Sequence, residues 1–256
     1  MIRALASEWL RFRSRRIVRW LMLIAVIGVA VVAIIAGSVS HPPTEGLRLD
    51  ELDEYVVGAA FIVVLIGLVI GASMVGASWQ SGTITTILTW EPRRIRWFLA
   101  RSLVIAVGAA LVAAVLLAIL AAALALATSL RGITATSSSW LSDTVLTILR
   151  IAAATGGIAV IGGAVAMMGR HTAAALGAVF VYVAVLESIV RGFRPAMGRF
   201  LLGDNLTTVV TAHTLDVQQG ATRYLLTPQR GAVVIGVYVV VLVGIALALL
   251  RVRDVN

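Results

Sequence analysis

The chain has no cysteine and no lysine, and only 13% of its 256 residues are charged. Without cysteine, neither a disulfide framework nor a thiolate metal site can form. Without lysine, the phosphate-cradling loop of an ATPase is excluded, because its glycine-rich backbone is followed by a lysine that reaches the phosphates. If ATP drives this protein, a second polypeptide supplies the energy. Scarce charge, 60% hydrophobic residues and a mean hydropathy of +1.02 exclude a soluble domain and give a polytopic membrane protein. The net charge of +9 comes from 21 arginines. A basic chain can bind nucleic acid, but most of these arginines sit between apolar runs and form a topology signal, so no nucleic-acid partner is expected.

Residues 2–16 place Ile2, Leu5, Trp9 and Phe12 at helical spacing among Arg3, Glu8, Arg11, Arg13, Arg15 and Arg16. That pattern predicts an amphipathic helix in the membrane interface, or else a long basic segment that only orients the first membrane helix. Six apolar runs come next, at about 18–38, 56–77, 98–127, 144–168, 172–190 and 232–250. At ~1.5 Å per residue each can cross a hydrocarbon core of about 30 Å. The expected fold is an all-α membrane protein of one transmembrane domain, 1–256. Arginines near the helix ends set the orientation. Arg93, Arg94, Arg96, Arg101 and Arg170 mark the inner connections, so both termini are expected in the cytoplasm. The acidic stretch His41 to Tyr55, with Glu45, Asp50, Glu51, Asp53 and Glu54, suits the outer side.

Gly71 to Arg101, GASMVGASWQSGTITTILTWEPRRIRWFLAR, organises the chain. A membrane helix ends here, a polar Ser/Gly/Thr turn comes after it, a short segment lies along the membrane face, and Pro92 suits the first turn of the next helix. This stretch resembles the permease subunits of type-2 ABC transporters of the bacterial exporter kind. Gly82-Thr83, Ile87-Leu88 and Pro92-Arg93-Arg94 carry the match, while Ser78 and Gln80 depart from it, since charged residues are common there in the family. The resemblance implies the type-2 exporter permease fold, six membrane helices behind an interfacial elbow helix, in a bacterial cytoplasmic membrane. It also implies that segment 81–90 is the coupling helix. Ser81, Gly82, Thr83, Ile84, Ile87, Leu88 and Trp90 would contact a cytoplasmic ABC ATPase, two copies of which use ATP and magnesium, so that this chain binds no cofactor and is not itself an enzyme. A second permease subunit, identical or homologous, would complete the path. Thr83 with Ile87, and Ile84 with Leu88, are four residues apart and can share helix faces. A fold-back of this segment onto the chain's own helix ends is the competing expectation.

Gly67 and Gly71 form a G-x-x-x-G step that permits close backbone approach, within this chain or between subunits. Arg150 and Glu187 are ionisable residues set inside apolar runs at comparable depth. A direct ion pair, the lining of a substrate path, or separate snorkelling would each reduce the cost of such charges. Residues 191–230 form the longest non-spanning region, external by this topology. They carry Arg191, Arg194, Arg199, Arg223 and Arg230 on the side where the charge rule expects few. The family's counterpart carries short external helices that partly dip into the membrane. Asn205-Leu206-Thr207 matches a glycosylation acceptor by spacing alone. A secondary transporter would show mid-membrane ionisable residues or repeated broken helices. An intramembrane enzyme would show paired catalytic groups on facing helices, whereas His41, His171 and His213 fall in separate loops. No residue specifies the cargo.

Overall fold

The computed structural model describes residues 2–39, 52–84, 94–129, 139–219 and 222–252. Helix α1 (Ile2–Ser14) leads through Arg15 into α2 (Arg16–Val39). Then come α3 (Leu52–Gln80), α4 (Arg94–Ser129) and α5 (Trp140–Gly169). A fifth apolar helix is built from α6 (Thr172–Val181), a π turn (Tyr182–Leu186) and α7 (Glu187–Phe193). A 3-10 helix (Pro195–Phe200), α8 (Leu202–Thr211) and a hairpin of β1 (Leu215–Gln219) and β2 (Thr222–Leu226) precede α9 (Pro228–Val252).

The long helices follow from their solvent. In hydrocarbon every backbone N–H and C=O must be paired within its own segment, and Ala, Leu, Val and Ile runs without interior proline allow this. Among the described residues five helices are long and apolar enough to cross a membrane: Glu54–Gln80, Arg94–Leu126, Trp140–Gly169, Thr172–Phe193 and Pro228–Val252. The first apolar run, 18–38, lies within the continuous 24-residue helix α2, and its crossing is the expectation from sequence. The 36 residues of α4 extend about 54 Å at 1.5 Å each, well beyond a hydrocarbon core of about 30 Å. Its first turns therefore project from the bilayer, or the whole helix tilts.

Helix α5 is the hub, packed against α3, α4 and α9. The contacts are backbone to backbone. A Cβ on Gly67 would overlap Thr155 and one on Gly71 would overlap the Ala159 carbonyl, while one on Gly162 would sit 2.7 Å from the Leu68 carbonyl oxygen. On the other side of α5, a Cβ on Gly156 would lie 2.7 Å from the Ala106 oxygen of α4. The Gly67/Gly71 step thus serves packing inside this chain, where small residues let dispersion act over the shortest possible separation.

One short hairpin, which the sequence did not foresee, is added to the all-α membrane fold. Leu215 pairs with Leu226 and Val217 with Tyr224. Leu215 and Val217 are half-buried, whereas Asp216 and Gln218 are exposed, the period of two that a half-buried strand requires. Asn205 is fully buried, its amide donating to the carbonyls of Leu201 at 2.7 Å and Arg199 at 3.2 Å. It is closed to glycosylation by burial.

Candidate functional site

Helix α3 ends where apolar sequence gives way to Ser78-Trp79-Gln80-Ser81-Gly82. Ser81 N–H donates to the Ala77 carbonyl at 3.0 Å and Gly82 N–H to the Trp79 carbonyl at 3.1 Å, closing the last turn. Gly82 has φ +68°, a left-handed value that glycine adopts without a Cβ clash, so the chain can leave the helix there. The hydroxyls of Ser81 and Thr83 bond each other at 2.6 Å, and both residues are exposed. Thr83 and Ile84 start a new helical turn. Ile87, Leu88 and Trp90 lie outside the described residues.

Ile84 corrects the expected contact set. It is fully buried, in a cluster with Phe12, Val18, Trp97 and Phe98. For this residue the fold-back reading holds: its side chain anchors the connection onto the chain's own helix ends. Ser81 and Thr83 remain on the outer surface.

Beneath the connection lies a polar network that sequence reading missed. Glu8 and Arg101 are each 1% exposed. Glu8 accepts from Arg11 at 2.9 Å and from the Trp97 indole at 3.2 Å, and its second oxygen is 3.6 Å from Arg101 Nε. Arg101 also donates to the Met74 carbonyl and, at 2.7 Å, to Ser78 Oγ, with its guanidinium 5.0 Å from the Trp97 ring centroid. Arg15 reaches the same place from the α1–α2 corner, donating to the Ser73 carbonyl at 2.9 Å, the Met74 carbonyl at 3.2 Å and Ser78 Oγ at 2.9 Å. Burial pushes the Arg15 pKa down, Glu8 opposes that shift, and Arg11 adds to it. Two arginines from different elements therefore grip the carbonyls of one turn of α3, and Glu8 balances part of their charge. The missing signal was positional: Glu8 is the lone acid in an arginine-rich helix, on the stripe with Leu5 and Phe12 rather than on the solvent side. A Cβ on Gly108 of α4 would meet the Phe12 ring at 2.5 Å, so α1 seats closely on α4.

On the adjoining side Trp79 donates to Met167 Sδ at 3.2 Å, and the Arg170 guanidinium lies 4.6 Å from its ring centroid. The turn between α5 and α6 is thus packed onto the end of α3.

At the opposite end, Arg150 and Glu187 do not pair with each other. Glu187 is 1% exposed and both its oxygens lie 3.1 Å from the Gly203 N–H, in the first turn of α8. Arg150 Nη2 donates at 3.1 Å to the Val210 carbonyl, in the last turn of α8, and at 3.4 Å to Thr147. Leu201, the N-cap of α8, supplies no side-chain cap. The anion satisfies donors left open at one end of α8 and the cation satisfies an acceptor at the other, each matching the sign of the helix dipole. The sequence depths were comparable because both residues serve one short helix.

The arrangement defines a polytopic, mostly helical membrane protein whose several spans are consistent with a transporter-type fold. No protein-family model and no curated relative matches the chain.

Proposed function

We propose that the chain is the transmembrane permease subunit of a type-2 ATP-binding-cassette exporter in a bacterial cytoplasmic membrane, with both termini in the cytoplasm. Two separate ATPase subunits bind ATP and magnesium, and a second permease subunit, identical or homologous, encloses the path with this one. The observation that carries this reading is the α3–α4 connection: it presents Ser81 and Thr83 outward, is pinned inward by Ile84, and is tied to α1 through Ser78, Arg15, Arg101 and Glu8.

Such a connection can pass on a push. Side chains that only touch absorb displacement by changing rotamer, whereas charge-assisted hydrogen bonds to main-chain carbonyls do so less readily. Movement imposed at Ser81 and Thr83 is delivered to the last turns of α3 and, through Arg101 and Arg15, to α4 and the α1–α2 corner. Gly71 then hands it to α5 by direct backbone contact at Ala159, and Gly67 by close contact with Thr155. The elements around α5 move with the connection as a block.

The test is co-purification with the cognate ATPase and the hydrolysis rate of the complex. Thr83→Asp and Leu88→Asp are expected to leave abundance and membrane insertion of this chain unchanged and to lower ATPase retention at least about tenfold, about 1.4 kcal/mol of association energy. Equal loss of the chain itself when no ATPase is expressed would instead assign the segment to internal packing.

A further inference from the structure

At the end of the molecule away from α1, the 3-10 helix is drawn down beside α9. The Asn205 carbonyl sits against Gly231, in the first turn of α9, where a Cβ would lie 2.5 Å from it. The Tyr238 hydroxyl, further along α9, donates to the Phe200 carbonyl at 3.1 Å and is bonded to the Tyr182 hydroxyl of the fifth span. Tyr238 lies ten residues into α9, about 15 Å along the axis. The connection therefore flanks the spans instead of only capping them.

Under it is a cavity of about 480 Å³ lined by Ile189, Phe193, Arg194, Met197, Phe200 and Tyr238, among others. That volume lies in the range of small-molecule sites, about 300–1,000 Å³. Its walls come from the Thr172–Phe193 span, the 3-10 helix and α9, and these two spans are the least buried of the five candidates, so it lies beside surface that the described residues leave uncovered. The lining is apolar apart from Arg194 and a tyrosine hydroxyl already engaged twice. The guanidinium groups of Arg199 and Arg230 lie 5.6 and 5.7 Å from the Phe200 ring centroid.

The charge balance is uneven. Asp204 is taken by Arg191 at 2.8 Å and Asp216 by Arg223, while Glu187 serves α8. Among the described residues Arg194, Arg199 and Arg230 form no ion pair with a carboxylate. Arg194 thus lines the apolar groove, and Arg199 and Arg230, which like it pair with no carboxylate among the described residues, stand at its Phe200 wall. Guanidinium groups fit the oxygens of a phosphodiester bidentately, and Phe193, 85% exposed, supplies apolar surface for a chain running down the spans.

We propose that this groove holds an anionic glycerophospholipid from the adjacent leaflet, its phosphate against Arg194, Arg199 and Arg230 and the upper part of an acyl chain along Ile189, Phe193 and Met197. The site does not depend on the transport reading or on which leaflet lies at this end.

The purified chain is equilibrated in micelles containing equal amounts of dioleoylphosphatidylglycerol and dioleoylphosphatidylcholine, and retained lipid is counted by native mass spectrometry. Phosphatidylglycerol should be retained about tenfold over phosphatidylcholine, a difference of about 1.4 kcal/mol. The triple change Arg194→Gln, Arg199→Gln, Arg230→Gln should bring the ratio to near one, and Arg223→Gln, the same kind of change on the paired hairpin, should leave it unaltered. Met197→Trp, which fills the groove but keeps every arginine, should abolish retention in a chain that purifies normally. Equal retention of the two lipids by the unaltered chain, or a preference that survives the triple change or Met197→Trp, would overturn the proposal. So would displacement of phosphatidylglycerol by an equal concentration of glycerol 3-phosphate, which would assign the site to a soluble anion.

Discussion

Two buried carboxylates, one at each end of the molecule, are satisfied by different means. Glu8 sits among side-chain cations, Arg11 and Arg101, with the Trp97 indole as a further donor. Glu187 sits on the main chain, at the N-terminus of α8. The difference concerns what a charge does. Around Glu8 the charge itself is needed, because Arg101 and Arg15 are held close together and no other carboxylate is within reach among the described residues. Around Glu187 the chief need is an acceptor for the Gly203 N–H, and charge adds only the attraction of a helix dipole.

The comparison breaks first at Glu8. Truncation by Glu8→Ala leaves a buried arginine cluster without its counter-ion, a change that typically costs about 3–5 kcal/mol. It should appear as a large fall in the melting temperature of the detergent-solubilised chain and in folded yield. Glu8→Gln keeps an acceptor for Trp97 and removes only the charge, so it should retain most of that damage. If it behaves like the unaltered chain, the network is held by hydrogen bonding alone.

The other end should respond in reverse. Glu187→Ala orphans the part-buried Gly203 N–H, at up to about 1–3 kcal/mol, whereas Glu187→Gln keeps an acceptor and should lose about 1 kcal/mol or less, on the scale of the dipole term. Gly203→Ala sharpens this, because its Cβ would stand 2.7 Å from Glu187 Oε2 and push the carboxylate off the N–H. It should match Glu187→Ala in melting temperature. A Glu187→Gln defect as deep as that of Glu8→Gln would erase the distinction between the two ends.

Arg150→Met should be milder at α8, about 1 kcal/mol, where it removes the C-terminal dipole term and the donor to the Val210 carbonyl. Hydrogen exchange should quicken in α8 and not in α3. A Glu187→Gln/Arg150→Met cycle should be close to additive, since the two charges act on opposite ends of one helix; strong coupling would restore the direct pair, one of the three readings the sequence left open.

The smallest effect belongs to the hairpin. Arg223, bonded to Asp216, holds that carboxyl below its ordinary range. A depressed folded pKa adds stability above the unfolded value, roughly pH 4, which is lost as pH falls through the folded value. Because both partners are exposed, Asp216→Asn should change the melting temperature little at neutral pH and flatten only the acid limb of its pH dependence.

Much of this architecture was legible because hydrophobic runs of membrane length leave the backbone few options. Helices occupy all six runs, and the chain ends α3 where Ser81 and Gly82 replace apolar residues. What was not legible was lateral. Arg101 read as a topology signal because its neighbours in sequence are arginines, yet its partners, Glu8, Met74 and Ser78, lie 23 or more positions away. Glu187 and Arg150 stood out as charges needing partners. Those partners could not be named, because they are main-chain groups of a helix in a stretch too short to cross. Ile84 was placed in the partner contact by the family resemblance, and helical spacing, which gives the faces of a helix without saying which one is covered, could not correct it.

In the proposed function the α3–α4 connection is the handle by which a separate ATPase moves this chain. A single-cysteine scan from position 81 to 90, in a chain with no cysteine of its own, tests it most directly when the ATPase is co-expressed and cross-linked with and without nucleotide. Cross-links are expected from Ser81→Cys and Thr83→Cys, nucleotide-dependent in yield, and none from Ile84→Cys, whose side chain is enclosed. Absence of any cross-link from the whole segment to an ATPase shown to hydrolyse ATP in the complex, or a strong one from position 84 alone, would contradict it.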